Sequence, residues 1–167
     1  LQEMDPETLD TVTATADALT ATTSSPFTIA HAEPHALALS VQPSNAGAGA
    51  PIAPAIEVTV EDAWGNVATS SNNLVRASIA SGPAGATLAG TTARTPTSGV
   101  VRFDDLAIDT SGLFTLAFEA NGLTGQISEP FTVSSGGGAR LAFEVEPSDT
   151  VAGKPMAAVR VKVQDAW

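Results

Sequence analysis

The sequence predicts an all-β chain of tandem antiparallel β-sandwiches, with about seven strands to each sandwich. Three observations predict it. Apolar residues alternate with polar ones at period two in short segments, turn-forming residues separate those segments, and the whole pattern returns after about 104 residues. No helical period is sustained over a dozen residues.

The elements follow in order. Leu37, Leu39 and Val41 open the complete unit. Ile56, Val58 and Val60 alternate with Glu57, Thr59 and Glu61, as in a strand with one buried face. Val75, Ala77 and Ile79 come next, then Val101 and Phe103 alternating with Arg102 and Asp104. Phe114, Leu116 and Phe118 alternate with Thr115, Ala117 and Glu119, and Phe131 and Val133 close the unit. Turns are signalled at Gly65-Asn66, Gly82 to Gly85, Pro96 to Gly99, Asp109 to Gly112 and Asn121-Gly122.

The repeat sets the organisation. Leu37 to Ser44 returns as Leu141 to Ser148, and Pro26-Phe27-Thr28-Ile29 returns as Pro130-Phe131-Thr132-Val133, both at an offset of 104. Val58 to Trp64 returns as Val161 to Trp167 at 103. Residues 1–36 therefore read as the C-terminal part of one repeat, 37–140 as a complete repeat with its linker, and 141–167 as the first strands of another. A unit of this length can bury its own core. The natural polypeptide is expected to continue at both ends. Two seven-residue joints, Ala30 to Ala36 and Ser134 to Arg140, predict an end-to-end string, with the Gly-rich joint the more flexible.

Composition narrows the function classes. The net charge is −11, from 18 acidic and 7 basic residues, which disfavours nucleic acid and anionic membrane as partners. No run approaches the ~20 apolar residues of a membrane-spanning helix. Cysteine is absent, so there is no disulfide framework. Between Leu37 and Arg140 there is also no Lys, His, Tyr or Met. Only carboxylates and hydroxyls remain there, with no base to activate a hydroxyl, so the unit is expected not to be an enzyme and no catalytic residue is assigned.

Three stretches carry a resemblance: Leu37 to Ser44, Val58 to Val67, and Gly99 to Asp109, joined by Gly112 to Leu116 and Gly122-Leu123. In this order they resemble the bacterial immunoglobulin-like repeats of the invasin- and intimin-like group, which occur in tandem in large secreted and surface proteins. The resemblance spans the complete repeat and recurs in the partial ones. It implies an extracellular or cell-surface place, a structural role in a stalk, fibre or surface assembly, and neighbouring repeats as partners, with self-assembly into a fibre or lattice a further expectation. It names no ligand. The alternative is an adhesin or carbohydrate-binding accessory module that recognises a ligand through exposed turn residues.

Asp62-Ala63-Trp64-Gly65-Asn66 is the strongest local motif, and Asp165-Ala166-Trp167 repeats its start. Asp62 suits an Asx-type turn, with Gly65 and Asn66 supplying positive φ. Trp64 and Trp167 are then turn residues, contacts to a neighbouring domain, or stacking platforms for a sugar. Asp104, Asp105 and Asp109, with Glu61 and Asp62, could offer oxygens to calcium, although no spacing matches a dedicated calcium loop. No cofactor is otherwise expected. His31 and His35 flank Pro34 and are missing from the next repeat, so they read as solvent-exposed linker residues.

Overall fold

A computed structural model describes residues 9–165 of the chain. Among the described residues there are strands, turns and irregular segments and no helix, so the expected all-β class holds. None of them forms a helix long and apolar enough to cross a membrane.

The strands are β1 (Leu9–Asp10), β2 (Thr13–Ala14), β3 (Thr22–Thr23) and β4 (Phe27–Thr28) before the first joint. After it come β5 (Ala36–Val41), β6 (Ala46–Gly47), β7 (Ile56–Glu61), β8 (Val75–Ser81), β9 (Leu88–Ala89), β10 (Ala93–Arg94) and β11 (Val100–Phe103). The chain continues through β12 (Ala107–Ile108), β13 (Gly112–Ala120), β14 (Gln126–Ile127) and β15 (Phe131–Ser134), and beyond the second joint through β16 (Arg140–Val145) and β17 (Arg160–Gln164).

Residues 36–134 form one β-sandwich. The first sheet has the order β11-β7-β5, and the second the order β10-β8-β13-β15-β6 with β14 also on β13. Two sheets packed over one core make a β-sandwich. Pairing is antiparallel except where β15 meets β6 in parallel, Val133 beside Ala46 and Ser134 beside Gly47, and at a single parallel bridge between Ala36 and Thr124. The uniformly antiparallel expectation is corrected at those points. Gln42 and Asn45 prolong the β6–β15 contact by accepting the Glu129 and Thr132 N–H groups through their side-chain oxygens, at 3.0 and 2.8 Å.

The core lies where the alternation places it. Ile56, Val58 and Val60 of β7, Val101 and Phe103 of β11, and Phe114, Leu116 and Phe118 of β13 are all buried. Phe103 and Phe118 meet across the sandwich with ring centroids 5.6 Å apart, and Phe114 and Phe131 meet at 6.3 Å within the second sheet. Leu113, on the opposite face of β13, is 64% exposed. Thr59 departs from the pattern, being buried on the outward face. It sits in the central strand between Ala38 of β5 and Val100 of β11, and its hydroxyl donates to Glu61 Oε1 at 2.9 Å.

The turn before β11 is a two-residue hairpin loop. Ser98 and Gly99 both take positive φ, 49° and 77°, while Thr97 and Val100 exchange two backbone hydrogen bonds. This is the type I′ geometry, and a glycine serves it at no steric cost.

The flanking segments carry the same pairings as the complete unit. Leu9–Thr28 and Asp10–Phe27 match Leu113–Thr132 and Phe114–Phe131. Thr13–Thr23 and Ala14–Thr22 match Ala117–Ile127 and Phe118–Gln126. The register of β16 on β17 reproduces that of β5 on β7, Leu141–Val163 for Leu37–Val60, with an irregularity at the corresponding place. Single bonds match as well. Ser24 Oγ accepts the Val12 N–H and donates to the next carbonyl, at 3.0 and 2.9 Å; Ser128 does the same with Leu116 and Glu129 at the same distances.

Candidate functional site

Strand β7 ends at Glu61, and the chain reverses through Asp62 to Asn66. Asp62 is 3% exposed, and its carboxylate is the hub of the turn. Oδ1 accepts the N–H groups of Trp64 and Asn66, both at 2.9 Å. The Asn66 side-chain amide donates to Oδ2 at 3.0 Å and to Oδ1 at 3.3 Å. Gly65 takes the left-handed conformation at φ 85°, as expected, but Asn66 does not. Its part in the turn is the amide clamp on Asp62.

The remaining capacity of Oδ2 goes outside the turn. It accepts the N–H of Ala32, in the joint thirty residues upstream, at 2.9 Å. Burial works against the Asp62 charge, but the Asn66 amide and the N–H groups of Ala32, Asn66 and Trp64 outweigh it. Together they hold the carboxyl well below the usual carboxylate range.

The joint is held at further points. The Glu61 carbonyl accepts the His35 N–H at 2.7 Å, and the His35 carbonyl accepts the Thr124 N–H at 3.0 Å. His31 is half-buried rather than solvent-exposed. Its Nδ1 pairs with the Ala32 carbonyl at 2.8 Å, and Nε2 pairs with the Ser70 hydroxyl at 3.1 Å. Both ring nitrogens are therefore engaged within the protein. His35 is exposed, as expected.

At the second joint the same contact occurs. Asp165 Oδ2 accepts the N–H of Gly136 at 3.0 Å. Asp165 corresponds to Asp62, and Gly136 to Ala32. Trp167, expected to correspond to Trp64, lies outside the described residues.

Trp64 is 74% exposed. The turn uses its backbone N–H, and the indole stands in solvent. Trp64→Ala is therefore expected to change the stability of the sandwich by no more than about 0.5 kcal/mol in chemical denaturation. A loss above about 1 kcal/mol would show that the indole is part of the packing.

Asp104, Asp105 and Asp109, three of the carboxylates considered for calcium, have partners within the chain. Asp105 Oδ2 accepts the Thr91 N–H at 3.0 Å and its hydroxyl at 2.6 Å. Asp109 Oδ1 accepts the Thr87 N–H at 2.9 Å, and the Thr87 hydroxyl donates to Oδ2. The short β9–β12 ladder is thus bracketed by two Asp–Thr clamps. Arg94 Nη2 joins Asp104 and Asp105, at 2.7 and 2.9 Å. The Thr91 hydroxyl, opposed by burial and helped by the Thr91 N–H and Arg94, keeps Asp105 below the ordinary carboxylate value. The Thr87 hydroxyl and N–H do the same for Asp109. Among the described residues, no group of three or more His, Asp and Glu side chains is placed to hold a metal ion.

Asn73, Leu74, Arg76, Glu119, Ala120 and Asn121 line a depression between β8 and the end of β13. What the region does chemically is to fix backbone: carboxylates and hydroxyls take up N–H groups that the strands leave unpaired.

No protein-family model and no curated protein matches the chain. Among solved structures it is similar to a glycosyl hydrolase family 2 member from Bacteroides cellulosilyticus, at 16% identity and a TM-score of 0.45. That match covers 69% of this chain and 16% of the other. A beta-glycosidase from Bacteroides vulgatus is similar at 16% identity and a TM-score of 0.42, over 68% of this chain and 15% of that one. The chain thus spans only about a sixth of the length of the structures it matches.

Proposed function

We propose that the chain is a structural, non-enzymatic stretch of an extended array of β-sandwich modules, part of an extracellular stalk, fibre or surface assembly. Its immediate partners are the neighbouring modules of the same protein. One observation carries this reading: the pairings and single hydrogen bonds of the complete sandwich recur in both flanking segments, down to the serine pair Ser24 and Ser128. A module designed for chemistry needs side chains peculiar to one copy. What recurs here is core, turn and joint, which is what mechanical continuity requires. The acidic surface and the resemblance to bacterial surface repeats support the extracellular place.

Pulling the chain from its two ends tests the reading. One discrete unfolding event is expected from the sandwich of residues 36–134, with a length gain of roughly 300 Å, since each residue extends by up to ~3.4 Å and the span of the folded sandwich is subtracted. A featureless extension would sink the mechanical reading. The exposed indole of Trp64 favours one alternative, a ligand-binding module that stacks a sugar on the turn. Saturable binding of a glycan, lost in Trp64→Ala, would put that reading first.

A further inference from the structure

Two carboxylates in this chain perform the same long-range contact, and in neither case is the partner a side chain. Asp62 takes the N–H of Ala32 at 2.9 Å, and Asp165 takes the N–H of Gly136 at 3.0 Å. In each pair the carboxylate lies at the end of the second long strand of a unit, and the N–H lies in the joint that leads into that unit. The joints themselves are unlike in sequence: Ala30-His31-Ala32-Glu33-Pro34-His35 at one, Ser134-Ser135-Gly136-Gly137-Gly138-Ala139 at the other.

We infer that the aspartate opening the Asp-Ala-Trp motif is an inter-module latch: a socket on the entry pole of each sandwich that grips the arriving linker by its main chain. The inference rests on the array reading and deepens it, by naming the residue that fixes one module against the next. Because the socket reads a backbone N–H, it accepts linkers of different composition, provided that the gripped residue is small. At the second joint the room is limited toward the latch. A Cβ on Gly136 would come within 3.3 Å of Asp165 Cβ, a tight approach, and would meet the Ala48 carbonyl oxygen at an ordinary contact distance of 3.6 Å. Ala48 in turn donates its N–H to the Ser134 carbonyl at 2.8 Å, so it belongs to the exit pole of the complete sandwich. Gly136 therefore lies between the exit pole of one unit and the latch of the next.

The latch changes what the linkers are expected to do. Composition alone makes Ser-Ser-Gly-Gly-Gly-Ala-Arg a flexible tether. With Gly136 held by Asp165, the free length on either side shrinks to a few residues, and the second joint is restrained despite its glycines. The first joint has the same latch and adds His31 against Ser70.

The 167-residue chain contains no cysteine, so pairs of spin labels can be placed at will. Labels at positions 78 and 162 report on the second joint, and labels at 78 and 22 on the first; all three are exposed. The chain without latch substitutions is expected to give a single narrow distance distribution for the 78/162 pair. Asp165→Ala should at least double its width, while Asp165→Asn, which keeps an acceptor oxygen, should stay close to the original. Gly136→Pro removes the donor without touching β16 or β17, and should displace or broaden the same distribution. It also covers the case in which Asp165→Ala disturbs the hairpin itself, which amide exchange along β16–β17 would reveal. Asp62→Ala should broaden only the 78/22 pair. If neither Asp165→Ala nor Gly136→Pro alters the 78/162 distribution, there is no latch. A broad distribution in the unaltered chain would overturn it equally. These outcomes are separate from the array reading, which stands or falls on the discrete unfolding event.

Discussion

Replacing Phe118 by alanine is expected to destabilise the sandwich by about 3–5 kcal/mol, the largest effect of any single truncation proposed for this chain. The ring is fully buried in β13 and lies 5.6 Å from Phe103 of the facing sheet. Its loss therefore removes buried apolar area and leaves a void between two sheets that cannot both move inward. Domains of this size have total stabilities of about 5–15 kcal/mol, so such a variant sits near the edge of folding at room temperature. Denaturant titration measures the loss as a fall in midpoint at unchanged slope. Leu113→Ala, five residues earlier on the exposed face of the same strand, provides the control and should change stability by no more than about 0.5 kcal/mol. Similar losses at both positions would mean that β13 does not present its faces as described.

Asp62→Ala should produce the second largest effect, a fall of several degrees in the thermal midpoint, because one carboxylate serves three backbone N–H groups and an amide. The effect carries a pH signature. In the folded chain the Asp62 carboxyl titrates below its ordinary value near 3.8, so the folded state binds fewer protons than the unfolded state as the pH falls through that region. Its stabilising contribution is therefore complete above about pH 4 and is lost progressively below it. Midpoints of the original chain and the variant should differ most at neutral pH and converge toward pH 2. Asp105 and Asp109 are depressed in the same direction, and add to the acid sensitivity of both proteins without closing the gap between them. A gap that stays constant from pH 7 to pH 2 would show that the carboxylate charge is irrelevant to the turn.

Much of the sandwich is legible in the sequence. Strands β7, β11 and β13 announce themselves because Ile56-Val58-Val60, Val101-Phe103 and Phe114-Leu116-Phe118 each alternate with polar residues, a pattern that local geometry imposes. Strand β6 is not legible. Ala46-Gly47 has no periodicity to read, and its pairing with β15 brings together residues nearly ninety positions apart. The candidate site divides in the same way. An Asx-type turn at Asp62 follows from its neighbours, whereas the second oxygen reaches Ala32, and nothing local points there. Asp105 and Asp109 read as a potential cation site because acidity is visible in sequence and partners are not. The four-residue spacing they share with Thr87 and Thr91 acquires meaning only once β9 and β12 are known to run side by side. The burial of His31 is hidden from the sequence for the same reason, its partner Ser70 lying thirty-nine residues away.

The parallel contact between β6 and β15 determines how the sandwich resists being drawn out. Strand β6 and the closing strand β15 run in the same direction, so tension that reaches both along the chain pulls them past one another along their length. In that geometry the bonds of the seam are strained together, rather than peeled one after another as in a hairpin opened from its free end. The seam consists of two backbone pairs and the Ala48 N–H, with the side-chain oxygens of Gln42 and Asn45 adding acceptors further along β15 and just before it. A ladder of only two residue pairs thus meets tension in shear rather than by peeling.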